Sequence, residues 1–150
     1  MVEQRGVPDL TRLTDTSEHY VQQHELAIRE SDFQKRAMAS WGLIAKGEES
    51  IPYLLAMMRS TSPKSREDAA GALGWLGRSD SGLVERLTSA LGWETSDQAR
   101  DSIIAALGEL RSKDAIPALA LVIRDEQADG DTRWTGHAAL MRSFPADIGG

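Results

Sequence analysis

Apolar residues recur at helical spacing in three separate parts of the chain. The three triplets are Ile51, Leu54 and Met58; Val84, Leu87 and Leu91; and Ile116, Leu119 and Ile123. Each triplet has the spacing i, i+3, i+7, which lines one face of an α-helix. The first positions of successive triplets are 33 and then 32 residues apart. The pattern therefore predicts three helices with buried apolar stripes at a nearly constant interval.

A second pattern precedes these helices and repeats at the same interval. The segment "REDAAGALGWLGRSD" at residues 66–80 aligns with "RDSIIAALGELRSKD" at residues 100–114, at an offset of 34 residues. Fainter copies are "WGLIAKG", which begins at Trp41, and "RWTGHAALMRSF", which begins at Arg133. Self-similarity at such a period indicates a stack of helical pairs that bury a shared core.

Three glycines share one position of the repeat, namely Gly42, Gly74 and Gly108. Because glycine has no side chain, it lets a neighbouring helix approach, although it costs about 1 kcal/mol of helix propensity relative to alanine. The alternative is a phosphate-binding turn. Gly71, Gly74 and Gly77 are spaced G-x-x-G-x-x-G rather than G-x-G-x-x-G, and no strand pattern precedes them. We therefore expect close helix packing, with Gly77 as a helix C-cap.

These motifs resemble the HEAT repeat, in particular the bacterial HEAT-like type of phycobilisome lyases. The resemblance rests on R-x-x-A-A-x-A-L-G-x-L-G followed by D-A-I-P-A-L, covers about residues 32–144 and is closest over residues 96–123. It implies an all-α, right-handed α-α superhelix, or solenoid, whose first helices line the convex side and second helices the concave side. Known proteins with such repeats are mostly scaffolds and binding modules, and a few are lyases or DNA glycosylases.

About three and a half helical pairs are expected, preceded by an N-terminal segment with a capping helix and followed by a frayed tail. The predicted divisions are 1–31 for the N-terminal segment, 32–61, 62–94, 95–127 and 128–144 for the repeats, and 145–150 for the tail. Small polar residues mark the expected helix starts. The predicted N-caps are Asp15, Ser50, Ser79 or Asp80, Asp114 and Asp131.

Composition narrows the class of protein. The 150 residues suit one domain, and they are 41% hydrophobic and 27% charged, as in ordinary globular proteins. The net charge of −6 disfavours nucleic acid, whose phosphates require a basic surface. The chain has no cysteine and no apolar run of the signal-peptide or membrane-spanning kind. We expect a cytoplasmic protein that does not bind membranes.

Known catalytic and metal-binding motifs are missing. "HELAI" at residues 24–28 has Ile28 where H-E-x-x-H requires a second histidine, and no G-x-S-x-G is present. His137 is expected to be an interior or edge residue. The acidic segment at residues 125–133 lacks the twelve-residue calcium loop with its closing glutamate. We therefore predict no catalytic residues, no metal and no cofactor, and enzyme activity has no support in the sequence.

The second helices carry apolar and aromatic residues on the side opposite their core triplets. Six of these residues are predicted to form a partner-binding strip on the concave face: Tyr53, Met57, Arg86, Ala90, Trp93 and Val122. Tyrosine, tryptophan and arginine most often anchor protein interfaces. The strip predicts a non-catalytic protein-binding module, unless these residues pack against neighbouring helices. Trp75, on a first helix, is expected to serve structural packing.

Two other functions stay open. The resemblance implies, as the first alternative, a lyase or chaperone that handles a bilin-type chromophore. The second is a nucleic-acid enzyme of the glycosylase kind, which the acidic charge disfavours.

Overall fold

The computed structural model describes residues 9–77 and 81–144, and its regular structure within these ranges is entirely helical. Within the described ranges, three 3-10 turns lie at Leu10–Arg12, Gly47–Ser50 and Lys113–Ala115. The described residues form eight α-helices: α1 (Ser17–Glu30), α2 (Phe33–Ala45), α3 (Ile51–Met57), α4 (Pro63–Leu76), α5 (Ser81–Trp93), α6 (Asp97–Leu110), α7 (Ile116–Arg124) and α8 (Gly130–Ser143). The prediction of an all-α protein is confirmed.

The helices form two layers. In the first layer α2, α4, α6 and α8 pack side by side in that order. In the second layer α3 packs on α4, α5 on α6 and α7 on α8, so that each second-layer helix contacts the first-layer helix that follows it in the chain. Such stacking of like units is an α-solenoid, as the sequence predicts.

The N-terminal helix takes part in this order. Helix α1 packs mainly on α2 and also contacts α3 and α4. Its position relative to α2 matches that of α3 relative to α4, so α1 lies in the second layer at the end of the row. The predicted repeat boundaries remain predictions, and the tail at 145–150 lies outside the described residues.

Most predicted stripe positions are in the core. Of the nine residues, Leu54, Met58, Val84, Leu87, Leu91 and Leu119 are buried, and the three isoleucines Ile51, Ile116 and Ile123 are partly buried. The first-layer residue Leu107 is fully buried as well. Periodicity therefore identified the buried side of each second-layer helix.

Close packing explains two of the three repeated glycines. A methyl group at Gly74 would lie 2.7 Å from the Cα of Ala106, and one at Gly108 would lie 2.8 Å from the Cα of Ala139. These glycines let α4 approach α6 and α6 approach α8. Gly42 differs, because a methyl group there would lie 2.5 Å from the ring of Tyr20 on α1. The glycine at this repeat position therefore contacts an aromatic ring at the N-terminal end of the stack, and the backbone of the next first-layer helix in the later repeats.

A pair of alanine substitutions on α4 tests this packing. Nothing lies within 4 Å of a methyl group at the exposed Gly71, so Gly71→Ala is expected to stabilise the protein by about 0.5–1 kcal/mol through helix propensity alone. Gly74→Ala should destabilise it, because overpacking costs about 1–3 kcal/mol and the obstacle is backbone. Thermal denaturation followed by circular dichroism should show shifts of opposite sign. Equal increases in Tm would contradict the contact between α4 and α6.

Several predicted helix starts need correction. Helix α1 is capped by Thr16, whose side chain accepts the N–H of His19, rather than by Asp15, whose own N–H donates to the Tyr20 hydroxyl at 2.9 Å. Both residue types cap helices well, so residue type alone did not distinguish the two positions. Ser50 precedes α3 but makes no capping bond, since its buried hydroxyl donates to the carbonyl of Leu43.

The C-terminal helices show the same kind of shift. Asp114 lies in a 3-10 turn, and α8 is capped by Asp129, which accepts the N–H of Thr132 at 2.7 Å, rather than by Asp131. The alternatives Ser79 and Asp80 lie outside the described residues. Gly77 ends α4 as predicted, and its N–H donates to the carbonyl of Leu73 at 2.7 Å.

Candidate partner-binding surface

A cavity of about 400 Å³ opens between α3 and α5 in the second layer. Its floor includes the buried residues Met58, Leu87 and Ala90. Its rim includes Arg59, Arg86 and Trp93, all of them exposed. The cavity therefore combines an apolar floor with two guanidinium groups and an indole ring.

A second cavity, of about 260 Å³, continues this surface between α1 and α3. Tyr53 lines it, and Arg59 lines both cavities. Four exposed side chains thus lie along α3, the turn after it and α5. We call Tyr53, Arg59, Arg86 and Trp93 the arginine-aromatic surface.

Three of the six predicted strip residues are not exposed. Met57, Ala90 and Val122 have only 8%, 3% and 2% of their surface exposed. Each second-layer helix also contacts the next first-layer helix, and on α7 this contact buries a position beside the predicted stripe. On α7, Val122 packs against Gly136 of α8, whereas its neighbour Leu121 is 67% exposed. Met57 and Ala90 still line the two cavities, but Val122 lines neither.

Arg59 was not among the predicted residues. Helix α3 ends at Met57, and Arg59 lies in the following turn, where its N–H donates to the carbonyl of Ala56 at 3.0 Å. The turn-forming run "STSP" at residues 60–63 is a sequence signal for this helix end.

The charged side chains among the described lining of the cavity between α3 and α5 are all positive. Within the described ranges, neither Arg59 nor Arg86 makes an ion pair, and no carboxylate lines this cavity. Arg36, Arg66 and Arg142, by contrast, each pair with a carboxylate. The two rim guanidinium groups are therefore available to a partner.

Glu94, the residue after Trp93, is held inside the protein. Its buried carboxylate accepts two hydrogen bonds from Arg66, at 2.8 and 2.9 Å, and one each from the N–H groups of Thr95 and Ser96 at 3.0 Å. Burial opposes its charge, but the hydrogen bonds outweigh burial and lower the pKa of Glu94. We call the ionised Glu94 carboxylate with its bonds to Arg66, Thr95 and Ser96 the Glu94 bracket. It holds the backbone that directly follows Trp93, the last residue of α5.

The first layer has an aromatic groove of its own, of about 420 Å³, between α2 and α4. Trp41 and Trp75 meet edge to face there, with ring centroids 5.4 Å apart and planes at 89°. Trp75 does pack on Trp41 but leaves about half of its surface exposed. Phe33 is also exposed, with the Arg36 guanidinium 5.9 Å from its ring centre.

A charged network, part of which lines this groove, joins α1, α2 and α4. Asp68 accepts hydrogen bonds from His24 Nε2 at 2.7 Å and from Arg36 at 2.6 and 3.0 Å. Burial raises the pKa of Asp68, but the bonds from His24 and Arg36 lower it further than burial raises it. Since an ionised carboxylate can only accept, His24 donates from Nε2, and its buried Nδ1 has no partner among the described groups. The sequence had been compared at His24 only with the H-E-x-x-H metal motif, which it does not complete, and this network was not predicted.

Other candidate chemistry is sparse. Over residues 9–77 and 81–144, no three histidine or acidic side chains come together as a potential metal site. His137 is exposed on α8, and its ring centre lies 6.0 Å from that of Trp134. The described helices include none that is long and apolar enough to cross a membrane.

Comparison with known families identifies one repeat of the solenoid. The family model of the PBS lyase HEAT-like repeat matches residues 99–125, which contain most of α6, the connecting turn and α7. The predicted resemblance to the HEAT-like repeat is confirmed for this segment. No curated protein matches the chain.

Proposed function

We propose that this helical-repeat scaffold is a non-catalytic binding module that holds a partner protein on its second-layer surface. The observation that carries the proposal is the arginine-aromatic surface, in which four exposed side chains line two adjoining cavities. Tryptophan, tyrosine and arginine are the residue types most enriched among interface hot spots. Tyr53, Arg86 and Trp93, three of the residues expected from the sequence, remain in the proposed site.

The packing around Trp93 also favours a binding role. An indole ring has a large apolar area and one polar N–H. It can therefore face water in the free protein and be buried when a partner binds. The Glu94 bracket orders the adjoining backbone, so less conformational freedom is lost when a partner binds. Burial of the half-exposed ring then contributes to affinity.

Trp93→Ala and Arg86→Ala should each weaken capture of the partner, while circular dichroism and Tm stay close to those of the wild-type protein. A hot-spot loss of about 2 kcal/mol corresponds to roughly thirtyfold in Kd. The measurement is affinity capture from the source cells with an immobilised chain, followed by titration of the captured protein. Trp134→Ala is the matched control, because Trp134 is an exposed tryptophan on α8 in the other layer. Loss of capture with Trp134→Ala but not with Trp93→Ala would place the site elsewhere.

The competing function, handling of a linear tetrapyrrole, rests only on the name of the repeat family. Mixing the protein with a linear tetrapyrrole and recording its visible absorbance separates the two functions. The proposal expects an unchanged spectrum. A shifted spectrum that Trp93→Ala or Trp75→Ala abolishes would favour the chromophore instead.

A further inference from the structure

We infer that the segment held by the arginine-aromatic surface is an acidic peptide that carries an apolar side chain between its carboxylates. This inference rests on the proposed function and specifies the chemistry of the partner. The occupant is an extended or helical segment of a protein, rather than a free anion or a nucleic acid.

Charge is the first argument. The chain has 23 acidic and 17 basic residues, yet the described lining of the cavity between α3 and α5 contains two arginines and no carboxylate. An isolated positive site on an acidic protein selects negatively charged partners and repels surfaces like its own. A guanidinium group presents a planar fork of donors that matches a carboxylate, and such charge-assisted pairs are among the strongest hydrogen bonds.

The floor of the cavity is the second argument. Besides the two arginines, the cavity is lined by the buried residues Met58, Leu87 and Ala90 and by the exposed Trp93. A free inorganic anion would leave this apolar surface wet. An apolar side chain inserted between the arginines would cover it, and its removal from water would add to the affinity. The occupant therefore carries both kinds of group, with the carboxylates on either side of the apolar residue.

The same observations disfavour nucleic acid. A strand carries a phosphate at every nucleotide, and binding requires a run of cations along the groove. The two cavities together offer Arg59 and Arg86, and the acidic side chain of Glu25 lines the cavity beside Tyr53. A carboxylate at one end of the surface suits a segment with localised charge and opposes a continuous polyanion.

Fluorescence anisotropy with three labelled peptides tests the inference on the full chain. The first peptide has a central leucine flanked by glutamates, the second has glutamines in place of the glutamates, and the third has lysines. The acidic peptide should bind roughly tenfold or more tightly than the glutamine peptide, since hydrogen bonds to charged groups are about twice as strong as neutral ones. Its affinity should fall as salt is raised.

Charge-reversed variants locate the binding. Arg59→Glu and Arg86→Glu should each reduce affinity for the acidic peptide at least tenfold. Arg124→Glu is the matched control, because Arg124 is an exposed arginine on α7 that lines neither cavity. Equal loss in all three variants would mean that net charge, and not the cavity, attracts the peptide.

The outcomes separate this inference from the proposed function. If the acidic and glutamine peptides bind equally, if the lysine peptide binds better, or if a single-stranded oligonucleotide competes at equal concentration, the acidic-peptide inference is wrong. The binding-module proposal then still stands if Trp93→Ala abolishes capture of the partner. If Trp93→Ala and Arg86→Ala both leave capture intact, the site itself is wrong.

Discussion

Leu119→Ala is expected to lower the free energy of unfolding by about 2–5 kcal/mol, the range for removal of a large buried aliphatic side chain. Leu119 has no exposed surface and belongs to the core that α7 shares with its neighbours. The loss has two parts: the transfer free energy of the removed methyl groups, and the cost of the cavity that they leave. The cavity remains because α6, α7 and α8 are held by their other contacts and cannot fully collapse around it. Leu107→Ala, equally buried on α6, should fall in the same range.

Leu121→Ala is the matched control on the same helix. Leu121 lies two residues from Leu119 but is largely exposed, so its substitution should change stability by less than about 0.5 kcal/mol. Urea denaturation followed by far-ultraviolet circular dichroism measures all three variants. A similar midpoint for Leu119→Ala and Leu121→Ala would show that α7 is turned differently about its axis.

Glu94→Ala is expected to destabilise the protein by about 3–5 kcal/mol, the range for removal of one partner from a buried ion pair. The substitution leaves the nearly buried guanidinium of Arg66 without its carboxylate, and it leaves the N–H groups of Thr95 and Ser96 without their side-chain acceptor. The Arg66 guanidinium then keeps its hydrogen bond to the carbonyl of Ser60 but has no negative partner to offset its largely desolvated charge. Glu85→Ala is the control, because Glu85 is an exposed residue of α5, the helix that ends just before Glu94.

The Glu94 pair also makes stability depend on pH. The pKa of Glu94 is lowered in the folded state from its ordinary value of 4.5. The stability that the ionised pair contributes is therefore fully present above pH 4.5, where the unfolded chain is ionised as well. It disappears as the pH falls through the lower folded value, since the unfolded chain takes up the proton more readily. Glu94→Gln should remove this part of the acid dependence. Parallel stability curves for Glu94→Gln and the wild-type protein between pH 7 and roughly pH 3 would contradict the role assigned to the ion pair.

The sequence alone determined the class of fold and the buried side of the second-layer helices. Leu54, Leu87 and Leu119 were predicted to face the core, and all three do. The reason is that hydrophobic periodicity records burial directly, wherever the burying neighbour comes from. The repeated glycines likewise predicted close helix approach, which Gly74 and Gly108 provide.

The tertiary structure determines which helix covers each buried position. Gly42 has the same place in the repeat as Gly74, yet it contacts Tyr20, because α1 and not another first-layer helix lies against it. The bonds from Asp68 to His24 and Arg36 join residues 44 and 32 positions apart. No local pattern encodes such contacts, since each residue taken alone looks like an ordinary polar position.

Part of the candidate surface was likewise predicted from the sequence, and part depends on the tertiary structure. Exposure of Tyr53, Arg86 and Trp93 followed from the helical phase of α3 and α5. Met57, Ala90 and Val122 are buried in the packed stack, and Val122 packs on the next first-layer helix. Arg59 joined the surface because α3 ends at Met57, and the turn after it brings the guanidinium to the rim of both cavities. A repeat in sequence determines which face of a helix is apolar, but the width of that buried face depends on how many helices surround it, and only the packed stack sets that number.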